Sequence, residues 1–273
     1  MTPLFSAAGT AVLEAIVRPG LLCVFDFDGT LAPIVSQPDQ ARLPASVRER
    51  LVALQRRTPV AILTGRALAD IGARLQLTAD FLVGNHGLEG LPDSSRRRAD
   101  FLQRVDLWRA ALQLAFADQD RFDPQLVLED KAVSLSVHYR HVQDQTKVRA
   151  ALEALFATLT PAPRIIAGKC IYNLLPQGAG DKGAAFNQLM VLSGASAAIY
   201  VGDDVTDEDV FRLVRKDLLS VRVGHAEDSA APFFLPHHTD IVLLLDRLIE
   251  RLALSPAITP ATAPPLTLPA KQV

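Results

Sequence analysis

The sequence predicts an α/β protein in which a parallel sheet carries helices on both faces and is interrupted by a smaller α+β unit. Short apolar runs rich in β-branched residues recur at Leu21–Phe25, Val60–Leu63, Phe81–Val83, Ala197–Val201 and Leu218–Val223. Helical patterns such as Pro44–Gln55 and Gly183–Leu192 separate several of them. Strands buried on both faces and joined through helices read this way. Between about Asp93 and Leu175 the pattern changes to a period of two, which marks half-buried strands of an antiparallel layer. A hydrophobic content of 49% over 273 residues is ample for a sizeable core.

In chain order, residues 4–17 read as a surface helix. The apolar strand Leu21–Phe25 follows and runs straight into Asp26, Phe27, Asp28, Gly29 and Thr30. Val60–Leu63 ends in Thr64, Gly65 and Arg66 ahead of a helical pattern at Ala67–Leu75. In the changed segment, Leu126–Glu129 and Ala132–Arg140 are expected strands. The second sets Val133, Leu135, Val137 and Tyr139 against Ser134, Ser136, His138 and Arg140. A helix over Thr146–Leu159 and strands near Arg164–Ala167 and Cys170–Leu174 complete that layer. The division expected is a core at 1–92, an inserted domain at 93–176, the rest of the core at 177–254 and a Pro-rich tail at 255–273. Pro256, Pro260, Pro264, Pro265 and Pro269 among Ala and Thr predict that the tail is disordered.

The formal charge of −2 provides no general field for nucleic acid or anionic membrane, so neither is an expected partner. Glu14 and Arg18 among small apolar residues do not make a secretory signal, and no uncharged run reaches membrane-spanning length. Cys23 and Cys170 lie far apart inside apolar stretches and read as reduced core thiols. The expected setting is cytoplasmic.

Four groups carry the chemistry. Asp26 and Asp28 end a buried strand, where two ionised carboxylates ~4 Å apart repel by about 4 kcal/mol at an effective dielectric of 20. Such a pair needs a cation, a shared proton or a reaction to offset it. Asp26 fits a nucleophile and Asp28 a proton donor and acceptor. A solvated strand end or an Asx-turn is the structural alternative. Thr64, with nearby amides, suits a phosphoryl oxygen, although a helix N-cap explains it equally well. Lys182, in Gly180-Asp181-Lys182-Gly183, can neutralise developing negative charge, or simply be solvated. After Gly202, the run Asp203 to Asp209 packs five acids into seven residues. Mg²⁺ takes oxygen ligands, which suits Asp26, Asp203 and the carbonyl of Asp28, with Asp204 or Asp207 direct or through water. Interaction with a helix dipole accounts for Asp207, Glu208 and Asp209, but less well for Asp203.

In this order, D-x-D-G-T, L-T-G-R, a Lys before a helix and G-D-D resemble the haloacid-dehalogenase (HAD) superfamily of Mg²⁺-dependent phosphohydrolases. The resemblance implies a Rossmann-like HAD core with Asp26 as nucleophile and Asp28 as general acid/base. Thr64 and Lys182 would be phosphoryl contacts, with Asp203 and Asp207 at the metal. The insertion occupies the position of a type C2 cap. Glu129-Asp130-Lys131, His138-Tyr139-Arg140, Gly84 to Glu89 and Gly202 to Glu208 further resemble the trehalose-6-phosphate phosphatases.

That second resemblance implies that Glu129 and Lys131 bond sugar hydroxyls, that Arg140 lies near the phosphate, and that Arg66, His86, Asn173 and Asp204 join the substrate contacts. An exposed ion pair is the alternative for Glu129 and Lys131, and hydrogen-bonded packing for His86 and His138. The sequence departs from the family where it carries Asn173 for an expected Glu and Leu175 for an expected base, which bears on the choice of sugar. The implied activity is Mg²⁺-dependent hydrolysis of trehalose 6-phosphate through an aspartyl-phosphate, in trehalose biosynthesis. The same chemistry on another phosphorylated sugar or glycoside is the rival, followed by a module that senses a sugar phosphate without turnover. The expected partner is a small-molecule sugar phosphate, bound by a monomer.

Overall fold

The computed structural model describes residues 1–35, 38–92 and 94–254. The chain begins with β1 (Thr2–Pro3), α1 (Ala7–Ile16), β2 (Leu21–Phe25), α2 (Ala45–Gln55), β3 (Val60–Leu63), α3 (Leu68–Leu75) and β4 (Phe81–Val83). It continues through α4 (Ser94–Phe116), β5 (Val127–Asp130), β6 (Leu135–His138), α5 (Gln145–Phe156), β7 (Arg164–Gly168) and β8 (Ile171–Leu175). The last part holds α6 (Lys182–Ser193), β9 (Ala197–Gly202), α7 (Glu208–Phe211), β10 (Leu218–Val223), β11 (Phe233–Leu235) and α8 (Ile241–Ala253).

Seven strands form one parallel sheet in the order β1-β11-β10-β9-β2-β3-β4. Period-two alternation sorts its side chains. Leu21, Cys23 and Phe25 of β2, with Ile62 of β3 and Ile199 of β9, face a core closed by α1, α2, α3 and α8. Leu22 and Val24, with Leu63 and Tyr200, face a second core under α6 and α7. Each fully buried aliphatic or aromatic side chain contributes about 1.5–3 kcal/mol. From β2 the chain crosses to β3 on one side and, much later, to β9 on the other. The crevice beyond the carboxyl ends of these strands is therefore the topological switch point, where ligands of open α/β sheets bind.

Between β4 and α6 the chain leaves this sheet and builds a four-stranded antiparallel one, ordered β5-β6-β8-β7. Leu135, Val137, Tyr172 and Leu174 pack from it onto Val105, Trp108 and Leu112 of α4 and Val148, Leu152 and Phe156 of α5. The opposite face carries Glu129, Ser136 and Asn173 in register.

The expected elements need five corrections. The first helix starts at Ala7, because Ser6 Oγ accepts from Gly9 N at 3.2 Å, while Thr2 and Pro3 pair with Phe233 and Phe234 as an edge strand. Strands β1 and β11 are too short to show a period. Helix α4 was not anticipated, since exposed Leu107 and Leu114 blur the buried stripe Phe101, Val105, Trp108 and Leu112. The strand expected over Ala132–Arg140 shrinks to Leu135–His138, as Ala132 turns the chain at φ 65°. Cys23 is buried in the core, whereas half-buried Cys170 sits in the β7–β8 turn at φ 63° and is no core thiol. The tail from Ser255 lies outside the described residues.

Candidate active site

Strand ends bring the acids together. Asp26 follows β2, Thr64 follows β3 and Asp203 follows β9, so hydrogen-bonded neighbouring strands deliver all three to one edge of the sheet. Because β2 stops at Phe25, Asp28 stands in the following turn rather than on a strand. Gly29, at φ 81°, completes that turn, and a Cβ there would overlap the carboxylate of Asp203. A side chain would thus fill the space the acid needs.

Lys182 opens α6 and is 2% exposed. Its Nζ donates to Asp26 Oδ1 at 2.8 Å and to Asp207 Oδ1 at 2.7 Å. Tyr200 OH donates to the same Asp207 oxygen at 2.6 Å, and the backbone N–H groups of Asp203 and Asp204 both donate to Asp207 Oδ2 at 2.9 Å. Each oxygen of Asp207 therefore accepts two bonds, its full lone-pair capacity. Burial works against the Lys182 ammonium, but Asp207 and Asp26 outweigh it and hold its pKa above the ordinary lysine value. Burial also raises the carboxyl of Asp26, opposed by Lys182 and reinforced by Asp207 and Asp28. Asp203 is raised by burial, then by repulsion from Asp26, Asp207 and Asp204.

Asp26, Asp203 and Asp207 each offer a carboxylate oxygen within 4.8 Å of the others. Since Asp207 is saturated, the oxygens open to a cation are those of Asp26 and Asp203. Thr30 Oγ1 holds one Asp203 oxygen at 3.3 Å. An all-oxygen set of buried, mutually repelling carboxylates fits a hard divalent cation.

Arg66 grips Asp28 with two bonds of 2.6 Å, from Nε and Nη2. Its Nη1 donates to Asp70 at 2.8 Å, and Asp70 in turn pairs with Arg74, whose Nη1 donates to Asp39 O at 2.6 Å. Thr64 is no N-cap: α3 is capped by Ala67, and Thr64 Oγ1 accepts from Arg66 N at 3.2 Å. His86, buried at φ 56°, lies so close to Gly65 that only a glycine fits there. Burial, with Lys131, Lys182 and Arg164 nearby, keeps its imidazole well below the usual histidine pKa. Its Nδ1 has no partner among the described residues.

The antiparallel sheet closes the crevice from above, leaving a cavity of about 440 Å³. Asp26, Asp28, Thr64, Arg66, His86 and Lys182 line it from one side with Asp203 and Asp204, and Glu129, Lys131, Arg140 and Asn173 line it from the other. Of the residues given a catalytic, metal or substrate role from the sequence, Asp207 is the one that does not line it. His138 Nε2 lies 2.7 Å from Glu129 Oε2. Burial works against the Glu129 carboxylate, but His138 and Lys131 hold its pKa below the usual value. Ser136 Oγ donates to Asn173 Oδ1 at 2.6 Å. Exposed Arg140 sits at the rim, its Nη2 3.5 Å from Lys169 O.

Sequence reasoning missed Arg222, which lines the cavity with its Nε buried and unpartnered among the described residues. A lone arginine in the apolar strand Leu218–Val223 was the available signal.

The combination of fold and site defines a HAD-type phosphatase fold. A solved sugar phosphatase of HAD subclass IIB superposes on it with a TM-score of 0.52 at 15% identity, covering 83% of this chain and 98% of that one. Within that class the chain belongs to the trehalose-phosphatase family, whose pattern matches residues 24–238. A trehalose-phosphate phosphatase of Mycobacterium tuberculosis is 35% identical over an alignment of 246 residues that covers 85% of this chain and 62% of the relative's length. A solved trehalose-6-phosphate phosphatase related protein is 25% identical with a TM-score of 0.69, covering 84% of this chain and 97% of that one.

Proposed function

We propose that the chain is a cytoplasmic, monomeric, Mg²⁺-dependent phosphatase that hydrolyses trehalose 6-phosphate to trehalose and phosphate, serving trehalose biosynthesis. In this reading residues 93–176 form a cap over a core of 1–92 and 177–254. The supporting observation is the convergence of Asp26, Thr64, Lys182 and Asp203 beneath Glu129 and Lys131 in one cavity.

Asp26 is the nucleophile: Oδ1 is held by Lys182, and Oδ2 has no partner among the described residues. Attack of Oδ2 on phosphorus forms the aspartyl-phosphate and breaks the bond to the sugar oxygen, which takes a proton from Asp28. Water then attacks phosphorus, Asp28 takes its proton, and the P–Oδ2 bond breaks. Asp28 must loosen its grip on Arg66 to do this, which an arriving phosphate, itself a good guanidinium ligand, promotes. Thr64 and Lys182 hold phosphoryl oxygens. Asp26, Asp203 and the carbonyl of Asp28 would hold Mg²⁺, which when bound neutralises charge on the phosphoryl oxygens and these acids. Asp207 serves by fixing Lys182 and the Asp203 loop. On the cap side, Glu129 and Lys131 bond sugar hydroxyls.

One observation favours a different sugar. Ser136 occupies the acceptor of Asn173, so this amide offers the cavity a donor where the family pattern carries a carboxylate. A phosphate-release panel with trehalose 6-phosphate, glucose 6-phosphate and sucrose 6-phosphate in Mg²⁺ decides between them, with a tenfold or greater preference for another ester favouring the second reading. Asp26→Asn should lower release by more than about 10³-fold. Undiminished activity in that variant, with deamidation excluded by mass spectrometry, refutes the mechanism.

A further inference from the structure

We infer that Asn85 is a positioning residue that registers the sugar-facing wall of the cap on the Thr64–Arg66 loop of the core, the loop that would hold the phosphate. The inference rests on the sugar-phosphatase reading above, but the observation behind it is one fully buried residue bonded in two directions. Its backbone belongs to the core. Asn85 N donates to Arg66 O at 2.7 Å, and the next residue, His86, donates its N–H to Thr64 O at 3.0 Å. Its side chain belongs to the cap: Nδ2 donates to Lys131 O at 3.0 Å and Oδ1 accepts from Ser134 Oγ.

The segment so held is a closed turn, with Lys131 N donating to Ser134 O at 3.0 Å and Val133 N to Lys131 O at 2.8 Å. Lys131 Nζ reaches back to Gly65 O at 3.3 Å, so the same turn also touches the Thr64–Arg66 loop directly. Leu88 and Ala179 of the core meet Phe101, Val133 and Leu175 of the cap in a small apolar cluster, which makes this the fixed side of the joint. Only a side chain with both a donor and an acceptor at this length makes both bonds. Asn85 also holds φ at 53°, a strained conformation that asparagine tolerates better than most residues.

A residue that merely stabilised the fold would affect all substrates alike. Registration of the cap wall instead separates esters that need the cap from those that do not. Asn85→Gly keeps the left-handed backbone accessible while deleting both bonds. Relative to wild type, kcat/KM for trehalose 6-phosphate should fall by about 10–100-fold, mainly through KM, the effect of losing two neutral hydrogen bonds. Hydrolysis of p-nitrophenyl phosphate, which has no sugar for the cap to read, should change by less than about threefold. Ser134→Ala should move the same ratio in the same direction by a smaller factor, and the double variant should show less than the product of the two.

A readout independent of turnover is amide hydrogen exchange in the free protein, which should accelerate at Lys131 and Val133 in Asn85→Gly. Equal losses on both esters, or unchanged exchange at that turn, would overturn the inference. Failure of the wild-type chain to hydrolyse either ester would sink the phosphatase reading instead, and exchange would still decide the role of Asn85.

Discussion

Lys182 and Asp207 show how one residue at the site constrains the next. Both are buried, Lys182 2% exposed at the cavity wall and Asp207 not at all, so the ammonium depends on the carboxylates of Asp207 and Asp26 for compensation. Replacing Asp207 by Ala leaves a buried charge half compensated and frees the Asp203 and Asp204 amides. Breaking a buried pair in this way costs about 3–5 kcal/mol. Urea denaturation should therefore show Asp207→Ala with a much lower midpoint than wild type, and a shift equivalent to under about 1 kcal/mol would contradict the buttressing role. At this scale the sequence was legible wherever chemistry interrupts an apolar strand, as at Asp26, Thr64 and Asp203. Side-chain pairing was not legible, because nothing local to Asp28 or Arg66 says that the two grip each other across 38 positions. Nor did the Gly-Asn-His-Gly run reveal that its asparagine reaches Lys131 and Ser134 in another part of the chain.

At the scale of elements, the strands of the parallel sheet were readable because both of their faces are apolar, and the helices between them because their buried stripes are clean. Helix α4 lost that clarity to Leu107 and Leu114, and β1 and β11 gain their pairing only from each other and from β10. Helix α3 carries an identifiable weakness. Gly72 lies in its interior, is exposed, and a Cβ built there meets nothing within 4 Å. Helix-interior glycine costs about 0.5–1 kcal/mol relative to alanine, mostly through the freedom it keeps in the unfolded chain. Gly72→Ala should raise the unfolding free energy by that amount, read as a higher denaturation midpoint, and leave phosphate release unchanged. A loss of stability would show that the helix there needs the smaller residue for a contact the geometry does not contain.

For the whole molecule, the decisive quantity is the charge that the two sheets enclose. Burial and mutual repulsion raise the carboxyls of Asp26 and Asp203 above their unfolded values, so the cation-free native chain retains protons that the unfolded chain has released. Groups raised in this way contribute stability that is fully present below the unfolded carboxylate pKa of 3.8 and is lost as pH rises above it. A divalent cation between them removes the repulsion, allows both to ionise and releases those protons, so its apparent affinity must grow with pH. Saturation at about 100 times the dissociation constant adds roughly 2.7 kcal/mol, which for a chain of this size raises Tm by about 5–10 °C. The gain from Mg²⁺ over chelator should therefore be small at pH 5.5 and larger at pH 8, as measured by paired thermal melts. Asp203→Asn should abolish most of it while making the cation-free chain less sensitive to rising pH. A gain that is independent of pH, or one that survives in Asp203→Asn, would mean that the cation binds elsewhere and that the acids converge here for another reason.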